Sequence, residues 1–304
     1  MVKVLKYSIL ILLTLTVFHT TSSGQVRKDD ISGFSTLLVS PSARHAAMGE
    51  SVGASGRDLF TLYSNPAGIL NIPYLTVGAA HNEWIADFRS EYVGLVYHPS
   101  NFAIGFSINY GTVDDIERRT GPTDEPEGYF DLNDLVAGVT IARNLSEKLK
   151  LGLTSKIVYE KLDVYSSTGV AFDFGMQYML MPEFMLGASF SNLGSSMKLD
   201  DEEFDLPRIL RAGGSYRIKD FLISGDVVYP TDDDPHLHIG GEYSLSQIFF
   251  LRSGFQSGYD EKALAFGLGF EQKGFNIDYA YVPFKSDLGD THRISLTYSL
   301  LKED

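Results

Sequence analysis

Charged side chains recur inside stretches that are otherwise apolar or small: Glu160, Arg211, Arg217, Asp226, Glu242, Arg252, Asp278 and Arg293. Groups of opposite sign in such surroundings pair with one another, because an unpaired charge away from water is costly. They can build a structural network, or line a path and select what passes. His236 and His238 stand two residues apart, so on a strand they share a face, and Asp232, Asp233 and Asp234 lie just before them. These are metal-binding donor types, but a metal site needs a third convergent ligand in fixed geometry, and none is assigned. The acidic stretches lack the spacing of a calcium loop. No glycine-rich phosphate loop, Gly-x-Ser-x-Gly elbow or Ser-His-Asp order is present, so no catalytic residue and no cofactor is assigned and a non-enzymatic role is expected. The chain has no cysteine, which removes a thiolate nucleophile, a cysteine zinc site, a disulfide framework and an N-terminal lipoprotein anchor. A net charge of −14 argues against a nucleic-acid partner.

The elements that carry these charges begin after an address. Lys3 and Lys6 precede an apolar run from Ser8 to Phe18, and Ser22-Ser23-Gly24 offers small residues for cleavage before Gln25. This is the three-part pattern of a secretory signal peptide, assigned to residues 1–24. The run is too short to span a bilayer, and nothing later approaches the length of a membrane helix, so any membrane crossing must use strands.

From residue 74 to the end, apolar residues alternate with small or polar ones, the period of a strand. Phe102, Ile104, Phe106, Ile108 and Tyr110 alternate with Ala103, Gly105, Ser107 and Asn109. Leu264, Phe266, Leu268 and Phe270 alternate with Ala265, Gly267 and Gly269. Fourteen such segments are expected, near 74–82, 90–98, 101–112, 129–143, 147–161, 166–179, 183–192, 207–218, 220–229, 235–244, 247–257, 262–271, 274–283 and 291–301. One face is Phe, Leu, Ile and Val with Tyr toward strand ends; the other is mostly Gly, Ala, Ser, Thr and Asn. A soluble sandwich would carry many Lys and Glu on its second face, whereas small polar residues suit a crowded lumen and the apolar band suits lipid. Short links such as His98-Pro99-Ser100-Asn101 alternate with longer acidic ones, the longest being 113–128 and 193–206. The expected fold is therefore all-β: a fourteen-stranded antiparallel transmembrane β-barrel, residues 74–304, in the bacterial outer membrane, with lipid and lipopolysaccharide as its surroundings and both ends in the periplasm.

Residues 25–73 do not alternate, and a barrel of this size has a lumen too wide for wall side chains alone to fill. The segment is expected to fold inward as a plug. Within it, Ser42-Ala43-Arg44-x-x-Ala47-Met48-Gly49, then Asp58, then Tyr63-x-Asn65-Pro66-Ala67-Gly68 resemble the start of PorV/PorQ family proteins. These are outer-membrane barrels related to the FadL fatty-acid channel family, with an N-terminal hatch holding an Asn-Pro-Ala element. The stretch 34–41 before the motif is closer to PorV.

That resemblance implies a component of type IX protein export or surface assembly, with secreted cargo and other envelope proteins as partners. The FadL relationship implies the alternative, a channel for a hydrophobic small molecule. The latter expectation includes an apolar pocket between plug and wall and a kinked strand that opens sideways.

Overall fold

The computed structural model describes residues 34–122, 124–285 and 289–300. The expected signal peptide, 1–24, and the first part of the expected plug, 25–33, lie outside the described residues. Sixteen strands follow an irregular segment: β1 (Leu75–Glu83), β2 (Arg89–Tyr97), β3 (Phe102–Arg118), β4 (Gly128–Asn144), β5 (Leu149–Leu162), β6 (Tyr165–Met181), β7 (Phe184–Gly194) and β8 (Met197–Leu199). The rest are β9 (Glu202–Phe204), β10 (Ile209–Ile218), β11 (Phe221–Pro230), β12 (His236–Leu245), β13 (Phe249–Ser257), β14 (Leu264–Gln272), β15 (Phe275–Pro283) and β16 (Asp290–Leu300). Fourteen of them form one closed antiparallel barrel, β8 and β9 making a separate hairpin. Closure is between first and last: Leu75 faces Leu300 and Glu83 faces His292.

Each barrel strand has two unlike faces, as its alternation requires. Phe106, Phe174 and Phe266 are 51%, 48% and 46% exposed, while the neighbours Asn109, Asp173 and Ala265 are 4%, 1% and 2% exposed. The exposed side is thus the apolar one, and the buried side is small or polar. A closed barrel with an apolar exterior leaves no unpaired strand edge and satisfies its backbone internally, the condition for strands to cross hydrocarbon. Aromatic pairs mark one rim: Phe184–Tyr216, Phe221–Tyr243, Phe249–Phe270, Phe275–Tyr298 and Tyr74–Tyr97, with centroids 4.4 to 6.1 Å apart. All sit where β1 begins and β16 ends, beside the short turns, and such a girdle suits the membrane–water interface. Short turns belong to the periplasmic side of outer-membrane barrels, so the longer loops face outward.

Two expected loops are partly strand. β3 runs on to Arg118 and β4 starts at Gly128, so the connection expected at 113–128 shortens to a tip on a protruding hairpin. A bulge between Val113 and Ile116, with Asp115 at φ 56°, absorbs the break in alternation and lets pairing resume. The connection expected at 193–206 folds back as β8–β9, where Met197 pairs with Phe204.

The apolar core lies between the N-terminal segment and the barrel's inner face. Leu59, Leu62 and Ile69 cluster with Tyr92, Val96 and Ala103. Phe34 and Leu37 cluster with Val136 and Val158, and Ala43, Ala46 and Ala47 with Ala265 and Ala280.

The face assignment makes a direct prediction. Phe106→Arg or Phe174→Arg should each destabilise the folded barrel by about 2–4 kcal/mol in vesicles, whereas Phe→Leu at the same sites should change little. Equal tolerance of Arg and Leu, measured by reversible unfolding, would contradict an outward lipid-facing belt.

Candidate functional site

The N-terminal segment reaches the wall through polar groups that its local turns hold in place. Ser42 caps the helix Ala43–Ala47, its hydroxyl accepting from the His45 N–H at 3.1 Å. That cap aims Arg44 and His45 at one point. Arg44 Nε donates to Glu242 at 2.9 Å and its Nη1 to Asp58 at 3.1 Å, while His45 Nε2 lies 3.1 Å from the other Asp58 oxygen. Glu242 also takes Arg57 at 2.9 Å and Arg252 at 2.8 Å, and Arg252 donates to Asp278 at 2.6 Å. Asp58, Arg44, Glu242, Arg252 and Asp278 thus form one chain of alternating charge, with Arg57 on its flank. Charge-assisted bonds of this kind are short and directional.

Burial opposes ionisation of Asp58, but His45 and Arg44 outweigh it and hold the carboxyl well below the usual range. Burial, and then the like charge of Arg44, pulls Arg57 down to about 10, despite Glu242.

A second set of contacts is made by backbone. Asp226 accepts from the N–H groups of Val52 and Gly53, each at 2.8 Å, and from Arg211 at 3.1 Å. Asn65 donates its amide to the Gly53 carbonyl at 2.8 Å, with Met176 and Ala188 carbonyls at 3.2 and 3.3 Å. Its side-chain oxygen accepts from the Ala67 N–H at 3.1 Å, starting the turn Pro66–Asn71. Approach this close needs a wall without side chains: a Cβ on Gly175 would strike Asn65 and Pro66, one on Gly152 would strike Pro66 and Ala67, and one on Gly254 would strike Met48 and Gly49. Gly49 has φ 61°, suited to glycine. Gly68 packs on Thr61.

The strand charges singled out in the sequence divide. Glu242, Arg252 and Asp278 join the chain of Arg44; Arg211 and Asp226 pair; Arg293 donates to Glu50 at 2.9 Å and to the Ser40 carbonyl at 2.7 Å. Glu160 and Arg217 enter no ion pair among the described residues. Three contacts were missed: Lys156 with Asp173 at 2.8 Å, Thr36 Oγ1 donating to Asp134 at 2.7 Å, and Glu50 as a partner of Arg293. Inward parity along β4, β5 and β6 was the signal for Asp134, Lys156 and Asp173; Glu50, on an irregular segment, carried none. His236 lies 3.2 Å from Asp233 and His238 lies 3.2 Å from the Tyr259 hydroxyl. No cluster of three metal-donor side chains occurs among the described residues.

Two larger spaces remain. An apolar groove of about 890 Å³ lies on the barrel's outer face, where small outward residues Ala79, Ala137 and Ser155 interrupt the belt of Val93, Phe106 and Ile108. Ser107 lines both this groove and a small space behind it, beside Leu37, Leu62 and Tyr92. The second is a cavity of about 490 Å³ at the outer-loop end.

A closed fourteen-stranded barrel with an apolar exterior and a charged, glycine-lined interior defines a transmembrane β-barrel of the bacterial outer membrane. The chain belongs to the Uncharacterised protein family UPF0164, whose family model matches residues 14–301. No curated protein sequence matches the chain. Its fold is similar to that of the CymD monoaromatic hydrocarbon channel, at 16% identity and TM-score 0.67, covering 90% of this chain and 100% of that one. It is also similar to the toluene transporter TodX of Pseudomonas putida, at 13% identity and TM-score 0.64, covering 90% of this chain and 98% of that one. A third likeness is to a FadL homologue of Pseudomonas aeruginosa, at 12% identity and TM-score 0.54, covering 83% of this chain and 96% of that one. These structures are of transport channels rather than enzymes. At these identities the likeness is one of fold, and membership of PorV/PorQ is not shown.

Arg44→Met would leave Asp58 with His45 alone as its charged partner, and Glu242 with Arg57 and Arg252. A loss near the lower end of about 3–5 kcal/mol is expected in unfolding of the detergent-solubilised barrel. The depressed Asp58 carboxyl sets the pH response. Its contribution is complete above the ordinary aspartate value near ~4 and is lost as pH falls through its lower folded value. The thermal midpoint should therefore drop on acidification below about pH 4, and Asp58→Asn should flatten that drop. An unchanged slope in Asp58→Asn would remove Asp58 from the account.

Proposed function

We propose that the protein is an outer-membrane channel for small hydrophobic molecules, and that residues 25–73 act as its plug. The observation that carries this reading is the apolar outer groove, bounded at Ser107 by a thin wall, next to a lumen that the segment occupies with buried residues and ion pairs. A hydrophobic solute partitions into such a groove from the membrane, whereas ions and water stay out of so apolar a space. The similar folds of a monoaromatic hydrocarbon channel and a toluene transporter support the same reading. On it the partner is a hydrophobic ligand. Export of cargo by a type IX-like system, the other expectation, draws support neither from the family model nor from these structures, and no contact in the barrel favours it.

The intact protein should conduct few ions in a planar bilayer. Gly175→Leu, which forces Asn65 and Pro66 off the wall, should produce large open events. Uptake is the second readout: Ala137→Phe and Ser155→Phe fill the groove with lipid-compatible side chains, and should slow toluene uptake by producing cells several-fold while leaving the barrel folded. Steady conductance by the intact protein, or uptake indifferent to both groove-filling changes, would overturn the proposal.

A further inference from the structure

The cavity at the outer-loop end is unlike the outer groove. The segment residues Leu38 and Val39 form one wall of its 490 Å³, and Trp84, Tyr259 and Lys262 form another. Most charges around it are already matched. Glu50 takes Arg293 at 2.9 Å, Arg211 donates to Asp226 at 3.1 Å, and at the mouth Asp233 meets His236 at 3.2 Å, with Asp232 beside it. Lys262 differs in feeling the Glu50 charge without pairing directly with it. It makes no ion pair among the described residues, and its ammonium stands 4.2 Å over the Tyr259 ring and 5.6 Å over Trp84.

Unused donors line the same space. Gln256 Nε2 and Arg293 Nε are buried and lack hydrogen-bond partners, and the two residues are only 5% and 3% exposed. Native proteins rarely leave such groups unpaired, and exceptions point to a function. The walls are also planar: the His236 and Tyr259 rings stack at 4.1 Å with an angle of 14°. The inner side is tied to the segment by hydrogen bonds. Tyr63 donates its hydroxyl to the Leu37 carbonyl at 2.7 Å, and Arg293 donates to the Ser40 carbonyl at 2.7 Å.

We propose that this cavity binds a compact aromatic carboxylate, the anion held by Lys262 and Gln256 and the ring packed between the Leu38–Val39 side and the aromatic side of the cavity. An anion would give Lys262, which feels the Glu50 charge but has no carboxylate within ion-pairing distance among the described residues, a charge-assisted bond stronger than a neutral one. A neutral hydrocarbon would cover Lys262 and Gln256 and leave them unpaired, which is costly. A long acyl chain has no ring to use the aromatic side of the cavity. The site goes beyond the transport reading, since binding here requires no passage through the wall.

The chain's single tryptophan is Trp84, so its fluorescence reports occupancy directly. Titration of the detergent-purified full chain with benzoate should give a saturable change. Lys262→Met, a loop substitution outside the barrel ladder, should weaken benzoate binding about tenfold or more, the scale of one hydrogen bond to a charged group. Gln256→Leu should weaken it as well. Toluene and decanoate should bind less tightly than benzoate to the unmodified protein. Retained heat-modifiable mobility on gels would establish that each variant is folded. No saturable change with benzoate, an unaltered affinity in folded Lys262→Met, or equal binding of toluene or decanoate would each overturn the proposal.

Discussion

A peptide group carried into hydrocarbon must find its hydrogen-bond partner within the protein, because lipid offers none. In a chain without an apolar helix among its described residues long enough to cross a membrane, that demand is met by strands paired on both sides, which means a closed ring. Here Leu75 meets Leu300 to complete it. Once the ring closes, every strand acquires one face toward lipid and one toward the axis. The exposed row of Phe106 and Ile108 beside the buried Asn109 follows from this single requirement.

Closure creates a second problem, since the axial face holds polar groups away from bulk solvent. The N-terminal segment supplies what they lack. Arg44 and Arg57 bring cations to Glu242, and the backbone N–H groups of Val52 and Gly53 supply donors to Asp226. The fit is made by omission as much as by contact. Gly152, Gly175 and Gly254 remove side chains where Pro66, Asn65 and Gly49 press on the wall. Segment and ladder therefore depend on each other, and a cation withdrawn from one side leaves an uncompensated carboxylate on the other.

On the proposed channel reading, a segment packed against the inner face favours routes through the wall over routes along the axis. The outer groove and the outer-end cavity differ as two environments should. One is apolar and open to lipid; the other is donor-rich, aromatic and capped by loops.

Much of this was legible in the sequence. Alternation is a local property of each strand, so the fourteen strands, their lipid-facing side and the inward parity of Glu242, Arg252 and Asp278 could be read without tertiary contacts. The grouping of Arg44 with Asp58 was within reach because both lie in one short irregular segment. Glu242 as the shared partner was not, since the pairing spans 198 residues and depends on where the ring's curvature brings β12. The bulge that extends β3 and the β8–β9 hairpin were likewise hidden, because a bulge breaks the period that reveals a strand. The paired His236 and His238 after Asp232 and Asp233 marked one side of the outer-end cavity, but no pattern marked the rest. Trp84, Gln256 and Lys262 come from separate stretches of the chain, and only closure of the barrel brings the β1–β2 turn, β13 and the β13–β14 loop around one space. Local periodicity sets what each strand is; the ring sets which distant side chains meet.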